Sequence, residues 1–192
     1  MRKTPKEKRK GIEYFGFVSR LGLGPRVLCL ADVKDPKEPG QPPLTKKEKN
    51  PTFAHVVAAL KQLLPELKHH YDARARQLDI VVKEYRLVMD NAPWHRKKKL
   101  RTIIEDLGFK LEPRYPPYSS DLNVVENVWR GIDAIMDQRR IANLQEAKLE
   151  LKRAYNILLE REENEHKYSG MCENYVHRLD MCVTRNGDLT KY

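Results

Sequence analysis

The sequence predicts an α/β fold, a sheet covered by helices. Three observations carry that reading. Two short apolar segments near the start flank a glycine-rich turn. A compact apolar run, Tyr85 to Met89, stops at Asp90-Asn91-Ala92-Pro93. Helical-period segments lie between and after them. At 192 residues, with 40% hydrophobic and 33% charged residues, the chain suits one domain with a single core.

Residues 12 to 19 read as a strand. Gly22-Leu23-Gly24-Pro25 reads as a turn, and Arg26 to Ala31 as the return strand of a hairpin. The Pro-, Lys- and Glu-rich stretch from Asp32 to Asn50 reads as a loop. A helix then starts near Thr52, capped by Asn50 or Thr52. Phe53, Val56, Val57, Leu60, Leu63, Leu64 and Leu67 recur at helical spacing on its buried face. Pro65 is expected to end or kink it near Leu64, because proline lacks an N–H and crowds the preceding turn.

Tyr85 to Met89 reads as a buried central strand. Leu100, Ile103, Ile104 and Leu107 sit at i, i+3, i+4 and i+7 of a second helix, with Gly108 as its stop. Phe109 to Glu112 reads as another strand, followed by an extended segment to Tyr118. A helix from Asn123 to about Arg139 presents Val125, Trp129, Ile132 and Met136. A further helix runs from Leu144 to about Glu163, with Asn143 as cap and Glu146 in the capping-box position. A last one covers roughly Cys172 to Val183.

Composition narrows the partners. Lys and Arg exceed Asp and Glu by ten, and this excess favours a polyanion, since each neutralised phosphate releases counterions. Cys29, Cys172 and Cys182 form no CxxC pair. They indicate neither a zinc knuckle nor a disulfide framework, and read as buried small hydrophobes. No apolar run has membrane-spanning length and no signal peptide is evident. Residues 1 to 10 carry six basic residues and one acidic. This segment reads as a solvated tail, with a nuclear import signal or a phosphate-binding arm as alternatives.

Two segments concentrate chemistry: Leu87-Val88-Met89-Asp90-Asn91-Ala92-Pro93-Trp94-His95, and Tyr115 through Trp129 with Asp121-Leu122-Asn123-Val124-Val125-Glu126-Asn127 at its centre. Asp90 ends a strand, where open α/β sheets place their sites. Glu126 opens a helix 36 positions later. Two carboxylates from separate elements suit a hard divalent cation such as Mg²⁺, and paired ions suit phosphodiester chemistry. Structural readings stand beside these. Asp90-Asn91-Ala92-Pro93 is good turn chemistry, and Asn123 to Glu126 fits a capping arrangement. His95 reads as orienting a carboxylate, touching a phosphate, or simply opening a helix. Arg96, Lys97, Lys98, Lys99 and Arg101 read as contacts to a DNA backbone or as a solvated face. Trp94 and Trp129 read as packing residues.

The first segment resembles the D-N-A-P-x-H block of the mariner superfamily of DDE transposases, and the second its P-x-x-S-P-D-L-N-P-I-E-N-x-W block. Phe15-Gly16-Phe17 with Gly22-Leu23-Gly24-Pro25 resembles that family's W-G-x-F … G-x-G-P strand pair. The chain's end, Asn186-Gly187-Asp188-Leu189-Thr190-Lys191-Tyr192, resembles its G-x-x-T-K-Y ending. The resemblance implies an RNase H-like mixed sheet flanked by helices. It also implies metal-dependent cleavage and transfer of DNA strands, with Asp90 and Glu126 as the second and third metal-binding acids and Mg²⁺ or Mn²⁺ as cofactor. Asn91, His95 and Asn127 become supporting residues. DNA and a second copy of the chain become expected partners, in the nucleus of a eukaryote or the cytoplasm otherwise.

Ser120 and Val124 replace two prolines of the family's second block. No counterpart of the first catalytic acid precedes Phe15, and Asp32 and Asp35 are placed wrongly to substitute for it. The expectation is therefore an N-terminally truncated catalytic-core remnant over residues 12 to 192. It has a basic tail at 1 to 11 and C-terminal helices from about 144. Its first strand is missing and its strand-cleaving activity is little or none. A complete enzyme with a longer reading frame, a non-enzymatic DNA-binding or dimerising module, and a decayed product remain as alternatives.

Overall fold

The computed structural model describes residues 12–33, 52–90, 92–112, 115–116, 119–137 and 141–188, with 162, 163 and 165 described by backbone alone. The basic tail and most of the Pro-rich loop therefore lie outside the described residues. Among those described, six short strands and six α-helices alternate in a mixed α/β order.

The hairpin is present but broken into two antiparallel pairs. β1 (Tyr14–Phe15) pairs with β4 (Leu28–Cys29), and β2 (Val18–Ser19) with β3 (Gly22–Leu23). Gly22 and Leu23, expected in the turn, belong to the strand, and the reversal falls at Arg20 and Leu21. Gly22 has φ 97°, a conformation that disfavours a side chain. The return strand is shorter than expected, because Leu30–Asp32 close into a 3-10 turn.

Alternation along the return strand explains the core. Leu28 and Leu30 face one cluster, while Val27 and Cys29 face the other. The first cluster is closed by α1 (Phe53–Gln77) through Leu60, Leu63, Leu64 and Leu67. Leu100 and Ile104 of α2 (Lys98–Asp106) complete it. The second is closed by Val128 and Ile132 of α3 (Val125–Met136), and by Leu151, Tyr155 and Leu158 of α4 (Leu144–Glu160). Tyr71 donates to the Gly22 carbonyl at 3.1 Å, and Tyr155 donates to that of Gly24 at 2.8 Å. Main-chain acceptors at the hairpin's tip are thus satisfied from both sides.

Helix α1 does not end at Pro65; it continues for twelve further residues. Pro65 is on the exposed side, while Leu60, Leu63, Leu64, Leu67 and Tyr71 are buried along the other. Burying a large apolar side chain contributes about 1.5–3 kcal/mol, so this row outweighs the roughly 3 kcal/mol cost of an interior proline.

β5 (Arg86–Leu87) pairs in parallel with β6 (Lys110–Leu111). It is not the buried central strand expected: among the described residues it pairs on one side alone, and Val88 is 45% exposed. Its other side borders a cleft. α2 ends as expected, with Gly108 at φ 82°. α3 starts at Val125, two residues late, and buries Val128 and Ile132, with Trp129 and Met136 packed partly against them. Asn143 caps α4 by accepting from Glu146 N–H at 2.9 Å, and Glu146 accepts from Ala142 N–H at 2.7 Å. The chain's last part holds two helices where one was expected, α5 (Glu162–Glu173) and α6 (Tyr175–Thr184). Cys29 is fully buried, whereas Cys172 and Cys182 are only partly so. Among the described residues, no helix is long and apolar enough to cross a membrane.

Asp32 accepts from Lys148 and Lys152, each at 2.7 Å, and so ties the hairpin's end to α4. Partial burial acts to raise its pKa, but the two lysines together hold it below the usual carboxylate range. A depressed carboxylate pKa contributes stability above its unfolded value, and that contribution is lost as pH falls through the folded one. Asp32→Asn is therefore expected to lower unfolding stability by on the order of 1 kcal/mol at neutral pH, with the difference fading in acid. Chemical denaturation across pH checks this. Pro65→Ala, which restores the donor missing from a continuous helix, is expected to raise stability by about 1–3 kcal/mol in the same measurement. Destabilisation would show that the proline conformation is one the fold requires.

Candidate active site

Asp90 follows β5, and Glu126 sits in the first turn of α3. The two are brought together because β5 and the start of α3 both border the cleft. The hairpin's first strand forms its opposite wall. Arg178, fully buried on α6, donates to the Asp121 carbonyl at 3.2 Å and pins the turn that leads into α3. Leu122 and Val124, buried on either side of Asn123, fix that approach further.

Asp90 does two jobs with one oxygen. Its Oδ1 accepts from Ala92 N–H at 3.0 Å, an Asx turn, and lies 2.6 Å from His95 Nδ1. The turn reading of this motif is thus realised. Oδ2 has no hydrogen bond from another described residue, and the Asp90 side chain is 54% exposed. His95 orients the Asp90 carboxylate and lies with its ring centroid 6.2 Å from that of Phe15 across the cleft. Asn91 lies outside the described residues.

Glu126 behaves differently. Its main-chain N–H donates to the Asn123 carbonyl at 3.0 Å, but its carboxylate takes no hydrogen bond from another described residue. It does not reach back to close a capping box; Asn123 N–H donates to the Ser120 carbonyl instead. Desolvation and then the charge of Asp90 push its pKa up, with Arg130 acting the other way. The two acids therefore feel one another as like charges. Asn127 donates to the Val124 carbonyl at 3.3 Å and accepts from Arg130 at 2.6 Å, so it shapes the helix start rather than the acid pair.

Three residues near this pair carry no role in the sequence reading. Arg130 is one helical turn beyond Glu126, an i+4 spacing that identifies it as a neighbour. Tyr14 packs edge-on against Trp129 at 4.8 Å. Its hydroxyl is pushed up to about 12, first by burial and then by Asp133 and Glu126. Tyr115 donates to the Ser119 carbonyl, and burial, Tyr175 and the nearby acids raise its pKa. Nothing in local sequence pattern connects these tyrosines to Asp90.

Asp90 and Glu126 fit a divalent cation by their chemistry. Both offer hard oxygen donors, and their mutual repulsion is what a cation would relieve. Among the described residues, no group of three His, Cys, Asp or Glu side chains converges. Asp32 is held by its two lysines on the α4 side. The basic cluster lies beside the Asp90 turn: Arg96, Lys97, Lys98 and Lys99 are exposed and Arg101 is half-buried. Lys97 stacks over Phe53 at 4.2 Å, and none of the five pairs with a described carboxylate.

A raised carboxylate pKa makes the folded state bind more protons than the unfolded one, so stability falls as pH rises through that window. Glu126→Gln removes the repulsion and is expected to raise the neutral-pH Tm by on the order of 1–2 °C, since the group is largely solvent-screened. The gain should vanish below the ordinary carboxylate range. Mg²⁺ or Mn²⁺ should raise the Tm of the parent chain and not that of Glu126→Gln. Equal metal responses in the two would remove Glu126 from the centre.

No curated protein matches the chain. A family model described as DDE superfamily endonuclease matches residues 37–148, a span holding both Asp90 and Glu126. That is more than half of the 192 residues, and it establishes that the chain belongs to the DDE superfamily endonucleases.

Proposed function

We propose that this chain is a transposase-derived, mariner-like endonuclease domain of RNase H type that binds DNA and holds Mg²⁺ or Mn²⁺ between Asp90 and Glu126. The observation that carries the reading is that Asp90 and Glu126 line the same cleft, with Glu126 pushed up first by burial and then by the charge of Asp90, inside the span matched by the family. An ion bound there supplies Lewis acidity to a phosphodiester. The chain's own residues do the rest. His95 fixes Asp90 Oδ1, and Arg130 offsets part of the charge on Glu126. Arg96, Lys97, Lys98, Lys99 and Arg101 hold the DNA backbone next to the Asp90 turn.

Two carboxylates bind one such ion weakly, so strand cleavage and transfer by this chain are slow or absent. The second reading is a non-enzymatic DNA-binding or dimerising module of transposon origin. It is favoured by one feature: Asp90 already spends Oδ1 on its own turn and on His95.

Both readings predict salt-sensitive DNA binding. Replacing Lys97, Lys98 and Lys99 with alanine should weaken it and reduce the salt slope by about 0.9 per lost phosphate contact, while Glu126→Ala leaves it intact. Absence of binding at low salt removes DNA as the partner. A nicking assay with Mg²⁺ or Mn²⁺ separates the two readings. Slow nicking that disappears in Glu126→Ala supports the endonuclease, and no nicking together with no rise in Tm on adding metal supports the binding module. Fast nicking lost in Glu126→Ala overturns the reading of low activity, and nicking that survives that substitution overturns the site.

A further inference from the structure

Glu126 stays beside Asp90 only if the start of α3 is held, and the local chain does little to hold it. Residues 119–124 contain no proline. No side chain of Val124 caps the helix, and Asn123 Oδ1 accepts from Val125 N–H only at 3.4 Å. The approach to α3 closes as a 3-10 turn, Ser120–Leu122. Leu122 N–H donates to the Ser119 carbonyl at 3.1 Å, and Asn123 N–H to that of Ser120 at 3.0 Å. Bonds of this kind are short in reach and poor in geometry, so one such turn does not fix a helix direction alone.

Two side chains from outside grip the turn at the carbonyls flanking Ser120. Tyr115 donates its hydroxyl to Ser119, and Arg178 donates from a guanidinium nitrogen to Asp121 at 3.2 Å. Arg178 belongs to α6, 57 positions further along the chain, and is 1% exposed. Tyr175, the first residue of α6, reaches the same segment one turn earlier. Burial, and then Tyr175, Asp121, Asp90 and Glu126, raise the pKa of Tyr115, so its hydroxyl lies within electrostatic reach of α6, the turn and both acids.

A buried guanidinium is a costly way to fill space. An apolar side chain of similar volume packs without taking a charge out of water. What the guanidinium adds is a directed, charge-assisted bond to one main-chain oxygen. That oxygen sits where it controls an angle, five residues before Glu126. Leu122 and Val124, both buried, pass the constraint on to the helix.

We propose that Arg178 and Tyr115 are positioning residues of the endonuclease site: they clamp the Ser120–Leu122 turn, orient the first turn of α3, and so hold the Glu126 carboxylate beside Asp90. Through Arg178, α6 becomes part of the support of the acid pair. This rests on the reading of Asp90 and Glu126 as a metal-binding pair, and one arm of the test is independent of metal.

Arg178→Met keeps an unbranched apolar stem and removes the donors. Tyr115→Phe removes one hydroxyl from a half-buried ring, and decides the matter if the first variant does not fold. Asp32→Asn, which loosens the tie between hairpin and α4, is the control. The first arm is amide hydrogen exchange of the full chain in chelator. The amides of Leu122, Asn123, Glu126 and Asn127 should exchange about tenfold or more faster in Arg178→Met, and less markedly faster in Tyr115→Phe. Those of residues 132–136, at the far end of α3, should not change. The second arm is Mn²⁺ binding, followed by electron paramagnetic resonance. Affinity should fall by about tenfold in Arg178→Met and hold at the parent value in Asp32→Asn. Unchanged exchange at the start of α3 overturns the proposal, and so does equal acceleration along the whole helix. Faster exchange with parental Mn²⁺ affinity overturns it too, as does an equal fall in affinity in Asp32→Asn. A parent chain that binds no millimolar Mn²⁺ overturns the metal reading of the pair, whereas acceleration confined to the start of α3 still supports the clamp.

Discussion

The structure depends on one short hairpin being buried on both faces. A strand of alternating side chains can serve two cores only if both sets of positions are apolar. The return strand meets that condition, with Val27 and Cys29 to one side and Leu28 and Leu30 to the other. Burial on both faces removes water from the strand's peptide groups, so every polar atom at its tip needs a protein partner. Tyr71 from α1 and Tyr155 from α4 supply two of them at Gly22 and Gly24. Those two bonds fix the spacing of the helical layers. Arg26 adds a paired contact to Glu66 on α1, at 2.7 and 2.9 Å, on the rim.

The acid pair follows from that spacing. α1 and α2 hold β5 through Leu87 and Phe109, and Tyr85 donates to Asp72 at 2.6 Å. α4 and α5 hold α3 through Ile132, Leu158 and Tyr168. Asp90 therefore belongs to one layer and Glu126 to the other, with the hairpin strand between the layers as their common wall. Small residues permit the close approach: at Gly16 an added Cβ would lie 2.7 Å from the Trp129 ring. In that setting burial first, and then the charge of Asp90, push the pKa of Glu126 up.

What the sequence made legible follows from the range of each signal. Capping at Asn143 and Glu146, the stop at Gly108 and the helical period of α1 are local, and the structure has them. Pro65 shows where local reasoning gives way: one unfavourable residue on the solvent side did not outweigh a row of buried leucines on the other. α5 went unread because its apolar residues do not form a helical stripe, and its burial rests on Asn164 and Tyr168. The strand at Tyr85 to Met89 was visible as apolar, but its openness on one side was not, because exposure is decided by neighbours far along the chain. The pairing of Asp90 with Glu126 came from motif resemblance, whereas Tyr14, Tyr115 and Arg130 belong to the same neighbourhood only through folding.

Asp90 shows that structural and functional readings of one residue need not compete. A carboxylate has two oxygens and about four acceptor positions, so the Asx turn and His95 consume only part of its capacity. The turn itself is useful, because an acid whose orientation is fixed by its own backbone loses less entropy when it engages a ligand. Glu126 has the opposite character, with few bonds, a raised pKa and a position at a helix start whose dipole offsets part of its charge. One acid is oriented by its own turn, and the other is half-buried with its pKa raised. Were a divalent cation held there as proposed, Asp90 would offer an oxygen oriented by its own turn, and Glu126 one whose charge the ion would offset.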